Sequence, residues 1–448
     1  MIRIPQQVRE NICVEDDGKL RLDLSNSRTA GYFLHEWLHY VHNLSTINGI
    51  YAFASMVNMW ANFRNKIDNV GKSSASKKLT DYALSSVQRT HLYRMGARRQ
   101  RDNPDASVVS GACKVIGASI TTSQLAVALL GHPPEYSTII HCELELDHGR
   151  CVRAEIGVVE IIEGIANMLE ERFLMLHGEL PDKQKVAPYR LVLGLARHVI
   201  PEIANDQVIA CAITSLQCDD PPLALWELFH ALKTVAADRR FTAIERLSLR
   251  RLEEYRALIE QVFVQTEQLF PLAEPMGDEV KRLVANMREK FELRRTAPFF
   301  ELTMLDCIKK EPPAVRATTL QRIIADFSCP RIELEEIGRD VQGLNDVVNF
   351  GNSATINSDI EFGQQKLHAA LHFMGLHLSE DGFVETVALQ ASPARRCCPF
   401  YNSCAYDSRN TNPEVCLERP WEWLNVPMDP LTACWYRAGV RATRPPCE

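Results

Sequence analysis

The sequence predicts an α+β protein that is predominantly helical. Apolar residues recur at helical spacing over long stretches, among them residues 31–63 and 158–177. Only two stretches alternate apolar and polar residues around a turn signal, as hairpins do. Residues 188–300 read as successive helices parted by Pro-rich joints, "CDDPPLA" and "FPLAEPMGD".

Taken in order, "NICVEDDGKLRLDLS" predicts a first hairpin turning at Asp16-Asp17-Gly18. "SNS" at 25–27 supplies N-cap residues for the next helix, and the helical pattern continues through "TINGIYAFASMVNMWANFRNKI". "NVGKSSASKKLTD" reads as a polar loop, and "RMGARRQRDNPD" as a solvated loop with a short basic run. A second hairpin is expected at "STIIHCELELDHGRCVRAEIG", leading straight into the helix "VVEIIEGIANMLEERFLMLHG". The two hairpins are expected to make one small sheet beside the first helix. Less regular chain follows "KKEPPAVRATT", and a cysteine-rich tail begins near "ARRCCPFYNSC". The divisions fall at 1–182, 183–325 and 326–448.

Composition narrows the function. The net charge of -7 and the charged fraction of 24% are ordinary for a globular protein and give nucleic acid no basic surface. No uninterrupted apolar run reaches the roughly 18 residues of a membrane span, and the N-terminus has no apolar signal region. The expectation is a cytoplasmic protein whose 14 cysteines are reduced, read first as core residues or metal ligands.

The informative stretch is "GYFLHEWLHYVHNL", residues 31–44. At 100° per residue His35, His39 and His42 form one stripe, with Phe33, Leu34, Trp37, Tyr40, Val41 and Leu44 opposite. The i, i+4 spacing lets two imidazoles reach one metal ion, and zinc is the ion that favours such ligands. Glu36 flanks the stripe, where it can contact a metal-bound water as general base. With 13 His and about half of the 57 acids in the chain as Glu, chance supplies roughly 0.02 such His-Glu-x-x-His matches. His42 lies about 10.5 Å along the axis from His35, too far to share the ion. It is left as a supporting, substrate-facing or surface residue.

A catalytic zinc needs a third protein ligand. On the helix of residues 158–177, Val158, Ile161, Ile162, Ile165, Met168, Leu169 and Phe173 make the apolar face, and four carboxylates compete as ligand: Glu160, Glu163, Glu170 and Glu171. Glu163 is preferred, because Asn167 one turn on can hold a ligand histidine by its second ring nitrogen. Gly164 and Ala166 are expected to let this helix approach the histidine helix. Glu170, beside Glu171 and Arg172, reads as part of a solvated salt-bridging segment.

"HEWLH" followed by "EGIAN" resembles the zincin metallopeptidases, and within them the thermolysin-like gluzincins, over roughly residues 10–180. The resemblance implies a zincin-like catalytic core over 1–182, a helical accessory region and a Cys-rich C-terminal cap. It implies His35, His39 and Glu163 as zinc ligands and Glu36 as general base, with Asn167 where the family has Asp. The activity implied is an intracellular endopeptidase acting on a protein or peptide substrate. The alternative from another class is a metal-stabilised regulatory or interaction protein without catalysis.

Two further groups remain. Cys397, Cys398, Cys404 and Cys416 are candidate ligands of a second, structural zinc, with an iron–sulfur cluster or unligated packing as alternatives; Cys434 and Cys447 can complete a set. The pair His368 and His372 also has i, i+4 spacing but no intervening glutamate, and reads as core or surface. His141, Cys142, His148 and Cys151 around the second hairpin read as structural.

Overall fold

The computed structural model describes residues 2–4, 12–14, 20–22, 24–67, 77–78, 114–124, 136–146, 149–182, 184–270, 275–327, 332–334, 358–378, 383–384, 397–401, 407–425 and 434–443. Both loops at 69–81 and 94–105 lie wholly or largely outside these residues, as do the turn residues Asp16-Asp17-Gly18 and Asp147-His148, Cys404 and Cys447.

The chain is mostly helical with a small antiparallel sheet. Short strands β1 (Ile2–Ile4), β2 (Ile12–Val14) and β3 (Leu20–Leu22) precede α1 (Ser27–Ser45) and α2 (Ile47–Arg64). Strand β4 (Lys77–Lys78) is followed by β5 (Lys114–Gln124), β6 (Tyr136–Glu145), β7 (Cys151–Ile156) and α3 (Val158–Leu176). Helices α4 (Leu191–Val199), α5 (Asn205–Ser215), α6 (Pro221–Leu232), α7 (Arg240–Gln268), α8 (Pro275–Thr296), α9 (Phe300–Lys310) and α10 (Pro313–Phe327) come next. After β8 (Ile332–Leu334) come α11 (Ser358–His377), β9 (Phe383–Val384), α12 (Asp407–Thr411), α13 (Pro413–Glu418) and α14 (Trp435–Ala442).

Both expected hairpins form: β2 pairs antiparallel with β3, and β6 with β7. They do not share a sheet. β6 is instead flanked on its other side by β5, a strand the sequence reading lacks, giving the order β5-β6-β7. "KVIGASITTSQ" shows no apolar alternation: among its described residues only Val115 is buried.

α1 begins where expected. The Asn26 side chain accepts from the backbone N–H of Arg28 and Thr29, at 3.0 and 3.1 Å. The helical pattern breaks once, at Thr46, whose hydroxyl donates to the His42 carbonyl at 2.7 Å and accepts from Gly49 N–H at 3.1 Å. Gly49 is required at this corner, since a Cβ there would stand 2.5 Å from Asn43 Cα.

α1 and α3 pack along each other, and their apolar faces enter one core. Phe33, Leu34, Trp37 and Val41 of α1 are buried there, as are Val158, Ile161, Ile165, Met168, Leu169 and Phe173 of α3. A second apolar cluster joins Leu44 and α2 to α7, α8, α11 and the C-terminal segments. No helix among the described residues is long and apolar enough to cross a membrane.

Candidate metal centre

The polar face of α3 is not solvated. Glu160, Asn167 and Glu170 are 0%, 2% and 4% exposed, and Glu163 and Glu170 meet histidines of α1. The two helices run antiparallel: Gly31 near the start of α1 meets Leu174 and Glu170, while His39 further on meets Glu163. The N-terminal end of α1 is anchored to the chain beyond α3 by Arg28, 3.0 Å from Glu179 and 2.7 Å from Asp182. Tyr32 adds a hydrogen bond to Asp182 at 2.6 Å.

Each of the four competing carboxylates has a distinct place. Glu160 turns back to accept from Gly157 N–H at 2.8 Å and closes the start of α3. Glu171 accepts from Arg190 at 2.6 Å. Glu163 Oε2 lies 3.1 Å from His35 Nε2 and 3.4 Å from His39 Nε2, so one oxygen faces both imidazoles. Glu170 Oε2 accepts from the other nitrogen of His35, Nδ1, at 2.9 Å.

Two of the spacings among His35, His39 and Glu163 match those around a tetrahedral ion. Ligand bonds of about 2.0–2.1 Å put neighbouring ligand atoms about 3.3 Å apart along a tetrahedral edge. The two nitrogen–oxygen distances bracket that value. The ligand atoms of His35, Glu36 and His39 also lie within 4.8 Å of one another, the only such group of three among the described residues. That compactness allows Glu36 itself as a ligand. Glu163 is not part of that group, although one of its oxygens lies near a ring nitrogen of each histidine. His39 Nδ1 is buried without a hydrogen-bond partner among the described residues.

Electrostatics follow the contacts. Burial alone would depress His35, but Glu163 and Glu170 prevail and lift it to about 9. Burial would likewise raise Glu163, yet the two histidines hold it at about 2. Tyr189 packs edge-on against His35 with ring centroids 5.8 Å apart. Burial, with Glu163, Glu36 and Glu170 adding to it, pushes its phenol up to about 12.

Asn167 does not hold a ligand histidine. Its Nδ2 donates to Glu171 at 3.3 Å, and its Oδ1 is buried without a partner among the described residues. Glu170, one turn further along α3, occupies the position that had been expected of Asn167. Glu170 is accordingly no solvated salt-bridging residue. Gly164 does not face α1 either; a Cβ there would meet Val192 at 3.2 Å.

His42 is neither surface nor substrate-facing. It is 1% exposed, with Nε2 3.2 Å from Glu301 Oε1. Glu301 in turn pairs with the fully buried Arg294 at 2.5 Å, and Arg294 donates to Ser45 Oγ at 2.7 and 3.0 Å. Burial drives His42 down despite Glu301. Glu301, which burial would raise, is held at about 2 by Arg294 and His42.

Of the cysteines, Cys398 and Cys416 lie together in the C-terminal segments and Cys397 adjoins them. His372 bonds Tyr436 at 3.0 Å and His368 packs on Phe400, so that pair contributes to the fold.

The His35, Glu36 and His39 group on α1 could hold a metal ion. No protein-family model, curated protein or solved structure matches the chain.

Proposed function

We propose that the protein is a zinc-dependent endopeptidase acting on a protein or peptide substrate, with a zincin-like core built on the α1–α3 pair. The observation that carries this reading is the one Glu163 oxygen facing both His35 and His39 at tetrahedral-edge distances. Zinc held there would polarise the scissile carbonyl and make water acidic enough to attack at neutral pH.

The side chains supply the rest. Glu36 sits beside the ligand atoms, where a carboxylate can take the proton of the attacking water and return it to the leaving amine. Glu170 orients His35 through Nδ1, directing Nε2 outward. The side chains of His39 and Glu163 are 22% and 25% exposed against 10% for His35, so the site opens on one side. An open position favours catalysis over a purely structural ion, which is usually enclosed by its protein ligands. The resemblance to thermolysin-like gluzincins supports the same assignment, with Glu170 in place of an Asp-like partner.

Glu36→Gln tests the reading. The variant should stay folded and keep its metal, while cleavage of substrates found by an unbiased search for new N-termini falls at least about 100-fold. Unchanged cleavage would remove Glu36 from the chemistry. Absence of any metal-dependent cleavage in the wild type would favour a metal-stabilised interaction protein.

A further inference from the structure

The described C-terminal segments hold little regular structure. Helices α12, α13 and α14 have five, six and eight residues, and a six-residue 3-10 turn spans Pro420–Asn425. Helices this short have no stability of their own. Even so, Cys398, Cys416 and Cys434 are 8%, 6% and 7% exposed within the second apolar cluster.

These three thiols come from three separate segments and line one cavity, together with Arg409 and Tyr436. The cavity volume is about 10 Å³, room for roughly one small occupant. Cys398 N–H donates to the Cys416 carbonyl at 2.7 Å, joining two of the segments at the cavity wall.

Three polar or positive groups stand at these sulfurs. The Trp423 indole N–H donates to Cys416 Sγ at 3.3 Å. Cys434 is the N-cap of α14, where the helix presents its positive end. Arg409 adds a guanidinium to the lining. A bound cation would favour thiolate here, because a coordinating thiol gives up its proton.

We propose that Cys398, Cys416 and Cys434 ligate a second metal centre, thiolate-bound and separate from the histidine site, that pins the three C-terminal segments together. Cys397, beside Cys398, is the candidate for the fourth position. Among the described residues only the histidine group closes to within 4.8 Å. At least one pair of the three thiols therefore stands wider than the about 3.8 Å sulfur–sulfur edge of a zinc tetrathiolate. A zinc ion would draw them inward, whereas an iron–sulfur cluster would hold them apart. Both are thiolate chemistry.

The test uses the full chain, purified under reducing, oxygen-free conditions and analysed for zinc, iron and acid-labile sulfide. In a His35→Ala/His39→Ala background one metal centre should remain, and adding Cys398→Ser/Cys434→Ser should abolish it. Zinc without sulfide identifies a single ion; iron with sulfide identifies a cluster. Since the serine variant can fail to fold, cobalt(II) is also exchanged into the histidine-free protein whose cysteines are intact. Thiolate-to-cobalt charge-transfer bands in the near ultraviolet support the proposal. A histidine-free protein holding neither metal nor such bands, or a non-reducing intact mass showing these cysteines joined as a disulfide, overturns it.

Discussion

Glu170→Ala is the sharpest test of how the histidine site is built. Glu170 is 4% exposed, and its Oε2 is 2.9 Å from His35 Nδ1. Removing the carboxylate leaves a buried imidazole nitrogen without its acceptor, which costs about 1–3 kcal/mol of stability. It also frees the ring to turn, so Nε2 no longer points at the Glu163 oxygen. Losing such an outer partner weakens metal binding by about 10–100-fold, or roughly 1.4–2.8 kcal/mol. Glu170→Gln keeps the volume and one acceptor oxygen and should recover most of the affinity. Asn167→Ala is the internal control, because the Asn167 amide faces Glu171 instead. It should change affinity less than about twofold, since it touches neither histidine. The assay is competition for zinc against a chromophoric chelator at fixed pH, with unfolding midpoints measured alongside. If Asn167→Ala weakens zinc tenfold and Glu170→Ala leaves it unchanged, the assignment of Glu170 is wrong.

Glu163→Ala should lower zinc affinity by more than the about 100-fold of an outer partner and abolish turnover, as read by the same competition and by cleavage assay. Burial lifts Glu160 from 4.5 to about 7 despite its bond to Gly157. The folded state therefore keeps the proton longer: stability is full below about pH 4.5 and lost as pH rises through 7, by roughly 3 kcal/mol. Glu160→Gln should flatten that dependence in denaturant titrations from pH 5 to 8; an unchanged slope would assign it elsewhere. Arg294→Met strands the buried Glu301 and should cost about 3–5 kcal/mol by chemical denaturation. Adding Glu301→Leu should restore part of that loss, and a further loss instead would refute the pairing.

The parts of the fold that declare themselves in sequence are those with a strong period or a local signal. The α1 and α3 helices, both hairpins and the Asn26 cap follow from apolar spacing and turn chemistry alone. The meeting of the histidine pair with Glu163 follows from fixed spacing on each helix. Glu170 was misread because periodicity assigns a residue to a face without saying what that face meets. A row of Glu160, Glu163, Asn167 and Glu170 looks the same whether water or another helix lies over it. Had the His35–His39–His42 stripe been matched against that row, Glu170 would have stood out as the carboxylate two turns from Glu163. Strand β5 left no signal, since its exposed face and short polar residues imitate a loop.

The three histidines of α1 also show how the candidate site is fixed by contacts between helices. Each faces a carboxylate from another helix: Glu170 and Glu163 of α3 meet His35, Glu163 meets His39, and Glu301 of α9 meets His42. Both ends of α1 are tied as well, Arg28 to Glu179 and Asp182 at its start, and Ser45 to Arg294 at its end. The helix is held over roughly 25 Å at 1.5 Å per residue, so it can neither slide nor turn without breaking several of these contacts. A rotation of one residue, 100°, would carry both metal-facing imidazoles off Glu163 and into the apolar core. Close approach on the α3 side comes from Gly31, whose missing Cβ would stand 3.1 Å from Leu174 Cδ2. The position of Glu163 thus depends on residues at both ends of α1 and on a glycine one turn before His35. The substitution Gly31→Val should therefore loosen metal binding although it touches no ligand: a branched side chain pushes α3 outward and lengthens the His35–Glu170 bond first. Zinc competition on Gly31→Val against Gly31→Ala would show this as a graded loss, Ala mild and Val severe. Equal affinity in both would mean that the helix spacing is not what sets the site.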